Sequence, residues 1–219
     1  MGNKDLAKYL DNANHSATST REQVEKVCRE VLEFGFNAAF VNSCWVNFAK
    51  EIMGDQGKVG TVISFPLGQD STEAKINSCL AVVNDGADEV DVSTNLGWLK
   101  AGENELYLSE LRDIVRAVRD KKEDEIIKFI IEAYFLDQEE IKRASKMVME
   151  AGADFVKTTS GFGPRDAKIE YVKTIKSVVG DQVMIKAAGG ISNADNVREY
   201  IAAGANRIGT SKAVEIITK

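Results

Sequence analysis

Short apolar runs of strand length alternate with helical segments along the whole chain, and this alternation constrains the fold more than any other feature. Seven runs have strand length, namely residues 38–41, 59–65, 88–92, 126–133, 154–158, 183–188 and 206–210. Residues 10–12 are a weaker eighth candidate. Each run is followed by a segment with apolar residues at helical spacing. Strict alternation of strand and helix predicts a parallel α/β architecture.

The helical segments carry their own start and stop signals. Apolar residues recur at i, i+3, i+4 and i+7 in residues 24–32, 76–83 and 107–118, and less regularly in 141–149, 169–179 and 197–201. Thr20, Ser71 and Asp137 stand where N-caps are expected. Four helices are followed by a glycine just before the next strand, at Gly35, Gly86, Gly152 and Gly204. This repetition fits either an ancestral duplication or the common reuse of one turn.

The number of strand–helix units distinguishes a closed barrel from an open sheet. No G-x-G-x-x-G follows an early strand, which disfavours a doubly wound nucleotide-binding fold. Eight units match a (β/α)8 TIM barrel, although 219 residues is a lean length for it. Because no linker or change in composition interrupts the chain, we expect residues 1–219 to form a single barrel domain.

Composition excludes several classes of function. A net charge of −6 argues against a nucleic-acid partner. No apolar run reaches the roughly 18 residues of a membrane span, and the first ten residues do not resemble a signal peptide. The three cysteines lack metal-ligand spacing. We therefore expect a cytoplasmic protein with reduced thiols, no metal site and no membrane partner.

The chain contains one histidine, His15, to which we assign no role because a lone histidine is more often structural or solvated. A single histidine disfavours a metal site built from several histidines and a catalytic Ser-His-Asp triad. Acid–base and nucleophilic groups are expected among lysine, aspartate and glutamate.

Charged residues alternate with apolar ones inside several strands. In residues 88–92, for example, Val90 and Val92 lie on one face and Asp91 on the other. The apolar face belongs under the helices, so the charged face is expected to point into the barrel. Five side chains should then converge on the interior: Asp91, Lys128, Glu132, Lys157 and Lys186.

Buried charges of this kind must pair, shift their pKa or take part in chemistry. An ion-pair network without a reaction is one interpretation, but three lysines near the carboxyl ends of barrel strands favour an active site. A partly desolvated lysine beside another ammonium has a lowered pKa and can attack a carbonyl to form a Schiff base. A nearby carboxylate can move the protons. This pattern predicts an aldolase that needs neither metal nor cofactor.

Glycine-rich turns follow the last two strands, in residues 188–191 and 208–211. In barrels these two loops commonly hold a phosphate, because glycines let backbone N–H groups approach its oxygens. Hydroxyls of Thr210 and Ser211 add possible donors. The turns therefore predict a phosphorylated substrate.

Seven segments occur together and in order: LAKYLDNA (6–13), VISFPLG (62–68), GADEVDVSTNLGWLKAGE (86–103), KFIIEAYFL (128–136), GADFVKTTSGF (152–162), IKAAGGI (185–191) and GANRIGTS (204–211). Through them, the chain resembles deoxyribose-phosphate aldolase of the class I, Schiff-base type over nearly its whole length. The resemblance implies reversible cleavage of 2-deoxy-D-ribose 5-phosphate to D-glyceraldehyde 3-phosphate and acetaldehyde. It also implies a homo-oligomer, either a dimer or a tetramer.

The resemblance implies a role for each matching residue. Lys157 corresponds to the lysine that forms the imine, Lys186 to a second lysine that perturbs the first, and Asp91 to the acid of the proton relay. The positions implied to hold the phosphate are Gly161, Gly189, Gly190, Gly209, Thr210 and Ser211.

The chain departs from the common family pattern at Asn12, Ala13, Phe40, Ser93, Ser192 and Lys212, and in the loop 161–167. Two alternatives stay open, the first of them because of the departures at Ala13, Phe40 and Ser93. One is a related Schiff-base aldolase that acts on another phosphorylated sugar, and the other is a barrel that binds a sugar phosphate without converting it. Lys212 could contact the phosphate or lie solvated at the surface.

Overall fold

The computed structural model describes residues 2–164 and 167–219, and its centre is a closed barrel of parallel strands. The strands are β1 (Leu10–Asn14), β2 (Ala38–Val41), β3 (Lys58–Ile63), β4 (Glu89–Ser93), β5 (Ile126–Ile130), β6 (Phe155–Lys157), β7 (Met184–Ala188) and β8 (Arg207–Thr210). They pair in sequence order, and β8 pairs with β1 to close the barrel. The (β/α)8 barrel predicted from the sequence is confirmed.

Helices follow the strands as predicted. In the part of the chain described, they are α1 (Arg21–Phe34), α2 (Val46–Met53), α3 (Thr72–Asn84), α4 (Leu96–Ala101), α5 (Asn104–Lys121), α6 (Gln138–Glu150), α7 (Ile169–Val179), α8 (Ala194–Ala202) and α9 (Ala213–Thr218). Short 3-10 helices span Asn3–Tyr9, Ser43–Trp45 and Ala133–Phe135. The side chains of Thr20, Ser71 and Asp137 cap helices as expected. None of the helices in residues 2–164 and 167–219 is long and apolar enough to cross a membrane.

The four glycine turns share one geometry that fixes the strands to each other. Gly35, Gly86, Gly152 and Gly204 all have positive φ, and each stands three residues before a strand. The residue two positions after the last three glycines accepts a hydrogen bond from a backbone N–H of the preceding strand. These contacts join Asp88 to Val59 at 2.9 Å, Asp154 to Ile127 at 2.7 Å and Asn206 to Ile185 at 2.9 Å. The turn therefore ties together the amino ends of neighbouring strands.

The two faces of each strand divide as the alternating pattern predicts. The side chains of Val90, Val92, Ile127 and Phe129 are completely buried in the apolar layer that includes helix residues. The opposite faces carry charged groups into the barrel interior. The apolar layer between strands and helices therefore holds the barrel together, while the interior holds charged side chains together with the rings of Phe40 and Phe155.

A buried ion pair joins two of the surrounding helices. Lys75 on α3 lies 2.7 Å from the Glu110 carboxylate on α5, and both side chains are inaccessible to solvent. The Thr72 hydroxyl donates to the second carboxylate oxygen of Glu110 at 3.1 Å. Because each charge is desolvated, its stability depends on the partner remaining in place.

Replacing one member of this pair is expected to destabilise the fold strongly. The Glu110→Leu variant should lose about 3–5 kcal/mol of unfolding free energy, because it leaves a buried ammonium without its counterion. The double variant Lys75→Met/Glu110→Leu should unfold within about 1 kcal/mol of the wild type, since no buried charge remains. Urea unfolding followed by circular dichroism measures both. Equal destabilisation of the single and double variants would contradict this account.

Candidate active site

One carboxylate at the centre of the barrel contacts three lysines. Asp91 on β4 has its Oδ2 atom 2.8 Å from the Nζ of Lys157 and 2.9 Å from the Nζ of Lys186, and its Oδ1 atom 3.0 Å from the Nζ of Lys128. Strand register explains the arrangement, because Asp91 pairs with Lys128 across β4 and β5, and Lys157 with Lys186 across β6 and β7. The predicted convergence of these four residues is confirmed.

Three further charged residues complete the buried part of the network, and none of them is among the five side chains expected from the sequence. Asp11 lies 2.7 Å from the Nζ of Lys186, and Glu89 lies 2.5 Å from that of Lys128. Arg207 contacts Asp11 at 3.0 Å and Glu89 at 3.7 Å. A signal was available, since Glu89 precedes Asp91 by two positions and Arg207 opposes an apolar neighbour in β8.

The partners are unevenly distributed among the lysines. Within the described residues, Lys186 and Lys128 each have two carboxylate partners in ion-pair contact, whereas Lys157 has only Asp91. The largely buried part of the network contains three carboxylates and four cationic groups, counting the arginine that completes it, and the half-exposed Lys58 adds a contact with Glu89 at 3.8 Å. An excess of positive charge in a buried site favours release of a proton, and Lys157 is the lysine with least compensation.

The electrostatic consequences differ for the groups that meet at the centre. Burial lowers the pKa of Lys157, the Asp91 carboxylate opposes this effect, and the Lys186 ammonium lowers the pKa again, so that the net value is about 8. Burial alone would raise the pKa of Asp91, but the three lysines hold it well below its usual value. Burial would lower the pKa of Lys128, but the carboxylates of Asp91 and Glu89 raise it. Lys157 therefore has a substantial neutral fraction close to neutral pH.

Glu132 does not join the network, contrary to the expectation that it faces the same interior. β5 ends at Ile130 instead of residue 133, and Glu132 adopts a left-handed backbone conformation with φ 47°. The alternation of faces is lost at this turn. Its carboxylate accepts a hydrogen bond from the backbone N–H of Ser160, and burial raises its pKa. Within the described residues it has no ion-pair partner.

An aromatic ring packs against the lysines from below. The Nζ atom of Lys186 lies 3.4 Å from the centroid of the Phe40 ring, which is almost completely buried. A Cβ atom at Gly60 would lie 2.3 Å from this ring, so the absence of a side chain on β3 makes room for it. The ring faces an ammonium with its electron-rich surface, which stabilises the charge.

A cavity of about 880 Å³ opens at the carboxyl ends of the strands and has Lys157 and Lys186 in its wall. The six residues implied to bind phosphate also line it: Gly161, Gly189, Gly190, Gly209, Thr210 and Ser211. Asp91 lies beneath, behind the two lysines. All nine residues singled out in the sequence are therefore found in one region.

The contacts of Gly209 and Thr210 help to shape the cavity wall. A Cβ atom at Gly209 would lie 3.2 Å from the Cε of Lys186, so the absence of a side chain at this position leaves room for the lysine side chain. The Thr210 hydroxyl donates to the Ile191 carbonyl at 2.7 Å and accepts from the Lys212 backbone N–H at 3.0 Å. Thr210 therefore links the two glycine-rich loops. Ser211 is exposed and lines the cavity.

The departures from the common pattern are mostly found in the cavity wall. Asn12, Ala13, Phe40, Ser192 and Lys212 line it, and Ser93 is buried in β4. Asn12 donates to Glu30 at 2.8 Å. The ammonium of Lys212 is half exposed and pairs with Glu215 at 3.1 Å. In the loop 161–167, residues 165 and 166 lie outside the described residues.

Comparison with known proteins gives a consistent result. The sequence profile of the family described as DeoC/LacD family aldolase matches residues 5–212. A deoxyribose-phosphate aldolase from Aciduliprofundum boonei is 43% identical over 218 residues, which are 99% of this chain and 97% of that protein.

Two solved structures superpose closely. One, the aldolase QR15, gives a TM-score of 0.92 with 37% identity, covering 97% of this chain and 94% of the other. The second is a tetrameric deoxyribose phosphate aldolase from Aeropyrum pernix. It gives a TM-score of 0.91 with 29% identity, covering 99% of this chain and 91% of the other.

Neutralising the two charged neighbours of Lys157 is expected to move its pKa in opposite directions. Lys186→Met removes an ammonium and should raise the pKa above about 8, whereas Asp91→Asn removes the compensating carboxylate and should lower it. The pH dependence of Lys157 carbamylation by cyanate, quantified by mass spectrometry, reports the midpoint in each protein. Midpoints that stay at the wild-type value in both variants would show that burial alone sets the pKa.

Proposed function

The chain belongs to the DeoC/LacD family of aldolases, and on that premise we propose that it cleaves 2-deoxy-D-ribose 5-phosphate reversibly to D-glyceraldehyde 3-phosphate and acetaldehyde. The relative from Aciduliprofundum boonei carries the name of this activity. The observation that carries the proposal is the lysine pair around one carboxylate in the wall of a cavity of suitable size. The residues in this proposal act without a cofactor.

Lys157 is the nucleophile in this proposal. With a pKa of about 8, the Lys157 side chain is a neutral amine in roughly a tenth of the protein molecules at pH 7. The neutral amine attacks C1 of the open-chain sugar, and the resulting carbinolamine loses water to give an iminium ion. Asp91 and Lys186 lie within hydrogen-bond distance of each other, and Asp91 also reaches the Lys157 nitrogen. They are therefore suited to move the proton that the departing hydroxide requires.

The iminium ion then accepts the electrons of the bond that breaks. The C3 hydroxyl gives its proton to the Asp91 carboxylate, its oxygen forms the new carbonyl, and the C2–C3 bond breaks with its electron pair moving into an enamine. This releases glyceraldehyde 3-phosphate. Protonation of the enamine at C2 followed by addition of water releases acetaldehyde and restores the amine. The lysine nitrogen thus provides the electron sink.

The phosphate group is assigned to the loops after β7 and β8. Gly189 and Gly190 have positive φ values of 104° and 72° in the turn that follows β7, and Gly161 packs beside Gly189. The absence of side chains leaves backbone groups accessible to phosphate oxygens. Ser211 adds an exposed hydroxyl at the cavity wall.

The assembly and location of the protein are part of the same proposal. We take the catalytic unit to be one barrel domain spanning residues 1–219. A homo-oligomer, either a dimer or a tetramer, is supported by the tetrameric relative from Aeropyrum pernix and by large exposed apolar side chains at Leu67, Phe135 and Phe162. A cytoplasmic location is supported by the free thiols of the three cysteines.

Borohydride reduction in the presence of acetaldehyde should trap a stable adduct on Lys157. The iminium ion is converted to a secondary amine, which mass spectrometry of the digested protein locates. Lys157→Met should form no adduct and should lose at least about 1,000-fold in kcat, because no other group forms the imine. An adduct on Lys186 or Lys128 would show that the nucleophile is assigned wrongly. Complete absence of an adduct in the active wild type would contradict the Schiff-base mechanism.

A negative charge at Ser211 is expected to weaken binding of the phosphorylated substrate specifically. Ser211→Asp should raise KM for 2-deoxyribose 5-phosphate about tenfold through repulsion of the phosphate. Turnover of unphosphorylated 2-deoxyribose should change less than about twofold. Ser211→Asn, which is similar in shape but neutral, is the matched control. Equal effects of Ser211→Asp on both substrates would place the phosphate elsewhere.

A further inference from the structure

The only histidine of the sequence lies at the mouth of the cavity. His15 follows β1 directly, two positions beyond Ala13 and four beyond Asp11. Since side chains two apart in an extended chain share a face, His15 continues the row that begins with Asp11 inside the barrel. It lines the same cavity as Lys157. No sequence pattern assigns His15 a role, but the cavity wall places it next to Lys157 and Lys186.

Aromatic rings hold the imidazole in place. Its ring centroid lies 5.4 Å from that of Phe65 and 6.4 Å from that of Phe40, the latter in an edge-to-face arrangement of 82°. The Nζ atom of Lys157 lies 5.7 Å from the centroid of the same Phe65 ring. The imidazole and the amine therefore border one aromatic ring from the cavity side.

The imidazole has unused hydrogen-bonding capacity. Its Nδ1 atom is buried and has no hydrogen-bond partner among the described residues. Burial and the ammonium groups of Lys157 and Lys186 lower the pKa of His15 to about 3, so the ring is neutral and offers one donor and one acceptor. A buried polar group without a partner is unfavourable, which suggests that a ligand supplies the partner.

We propose that His15 hydrogen-bonds the hydroxyl next to the aldehyde carbon of the acceptor substrate, which is the C4 hydroxyl of the cleaved sugar. The inference rests on the proposed function. Lys157 fixes C1, and the loops after β7 and β8 fix the phosphate on C5, so C4 lies between them within the cavity. The C4 hydroxyl takes no part in the proton transfers of the reaction, which involve the C3 hydroxyl, so it is available for a hydrogen bond with His15. His15 is therefore a specificity-determining residue that selects α-hydroxy aldehydes.

Two substitutions separate hydrogen bonding from packing. His15→Phe keeps an aromatic ring against Phe65 and removes both nitrogen atoms, whereas His15→Gln keeps a donor and an acceptor without the ring. Each variant is assayed in the synthetic direction, with acetaldehyde and one of two acceptors. The acceptors are D-glyceraldehyde 3-phosphate and 3-oxopropyl phosphate, which has the same chain and phosphate but lacks the hydroxyl.

His15→Phe should lose about tenfold in kcat/KM with D-glyceraldehyde 3-phosphate and less than about twofold with 3-oxopropyl phosphate. His15→Gln should retain more activity than His15→Phe with the hydroxylated acceptor, and the borohydride adduct on Lys157 should form in both variants. If the wild type is active, equal losses of kcat/KM with both acceptors, or a fully active His15→Phe variant, would overturn the inference. A wild type that forms no aldol product from either acceptor would overturn the proposed function and the inference together.

Discussion

Three carboxylates and four cationic side chains share the interior of this barrel, and most of them are shielded from water. Asp11, Glu89 and Asp91 cannot fully compensate three lysines and an arginine. Because guanidinium groups do not lose their proton in proteins, the imbalance falls on the lysines. Lys157 has one carboxylate partner, whereas Lys128 and Lys186 have two each. The uncompensated positive charge is therefore concentrated on Lys157. Its pKa of about 8 follows from burial and from this arrangement.

The fold maintains the imbalance by fixing the backbone around it. The parallel pairing places charged residues of neighbouring strands in register, while the apolar layer under the helices holds the strands. Two glycines provide necessary space, since Gly60 accommodates the Phe40 ring and Gly209 accommodates the Lys186 side chain. An adjustable interior would relax the unfavourable charge by separating the groups, and a close-packed one cannot. The reactivity of the amine is therefore a property of the whole barrel.

Side chains alternate between the two faces of a strand, and this alternation determines how much of the site could be predicted from the sequence. Alternation alone places Asp91, Lys128, Lys157 and Lys186 in the interior, and the structure agrees. It fails at Glu132, because β5 already ends at Ile130 and the left-handed backbone of Glu132 turns its carboxylate toward Ser160 in the loop after β6. Sequence patterns also do not report distances between strands that are far apart in the chain. The contact of Asp11 with Lys186 arises only when β1 closes against β8, and the position of His15 beside Phe65 depends on how β1, β2 and β3 pack side by side.

In the mechanism we propose, the barrel makes Lys157 a nucleophile by lowering its pKa. The most direct measurement is the rate of imine formation between the wild-type protein and acetaldehyde as a function of pH, with the imine trapped by reduction. Only the neutral amine attacks, so the rate should rise with pH and reach half its maximum at about pH 8. A midpoint near 10.5, the ordinary value for lysine, would contradict the account, because it would mean that neither burial nor the neighbouring charges perturb the amine.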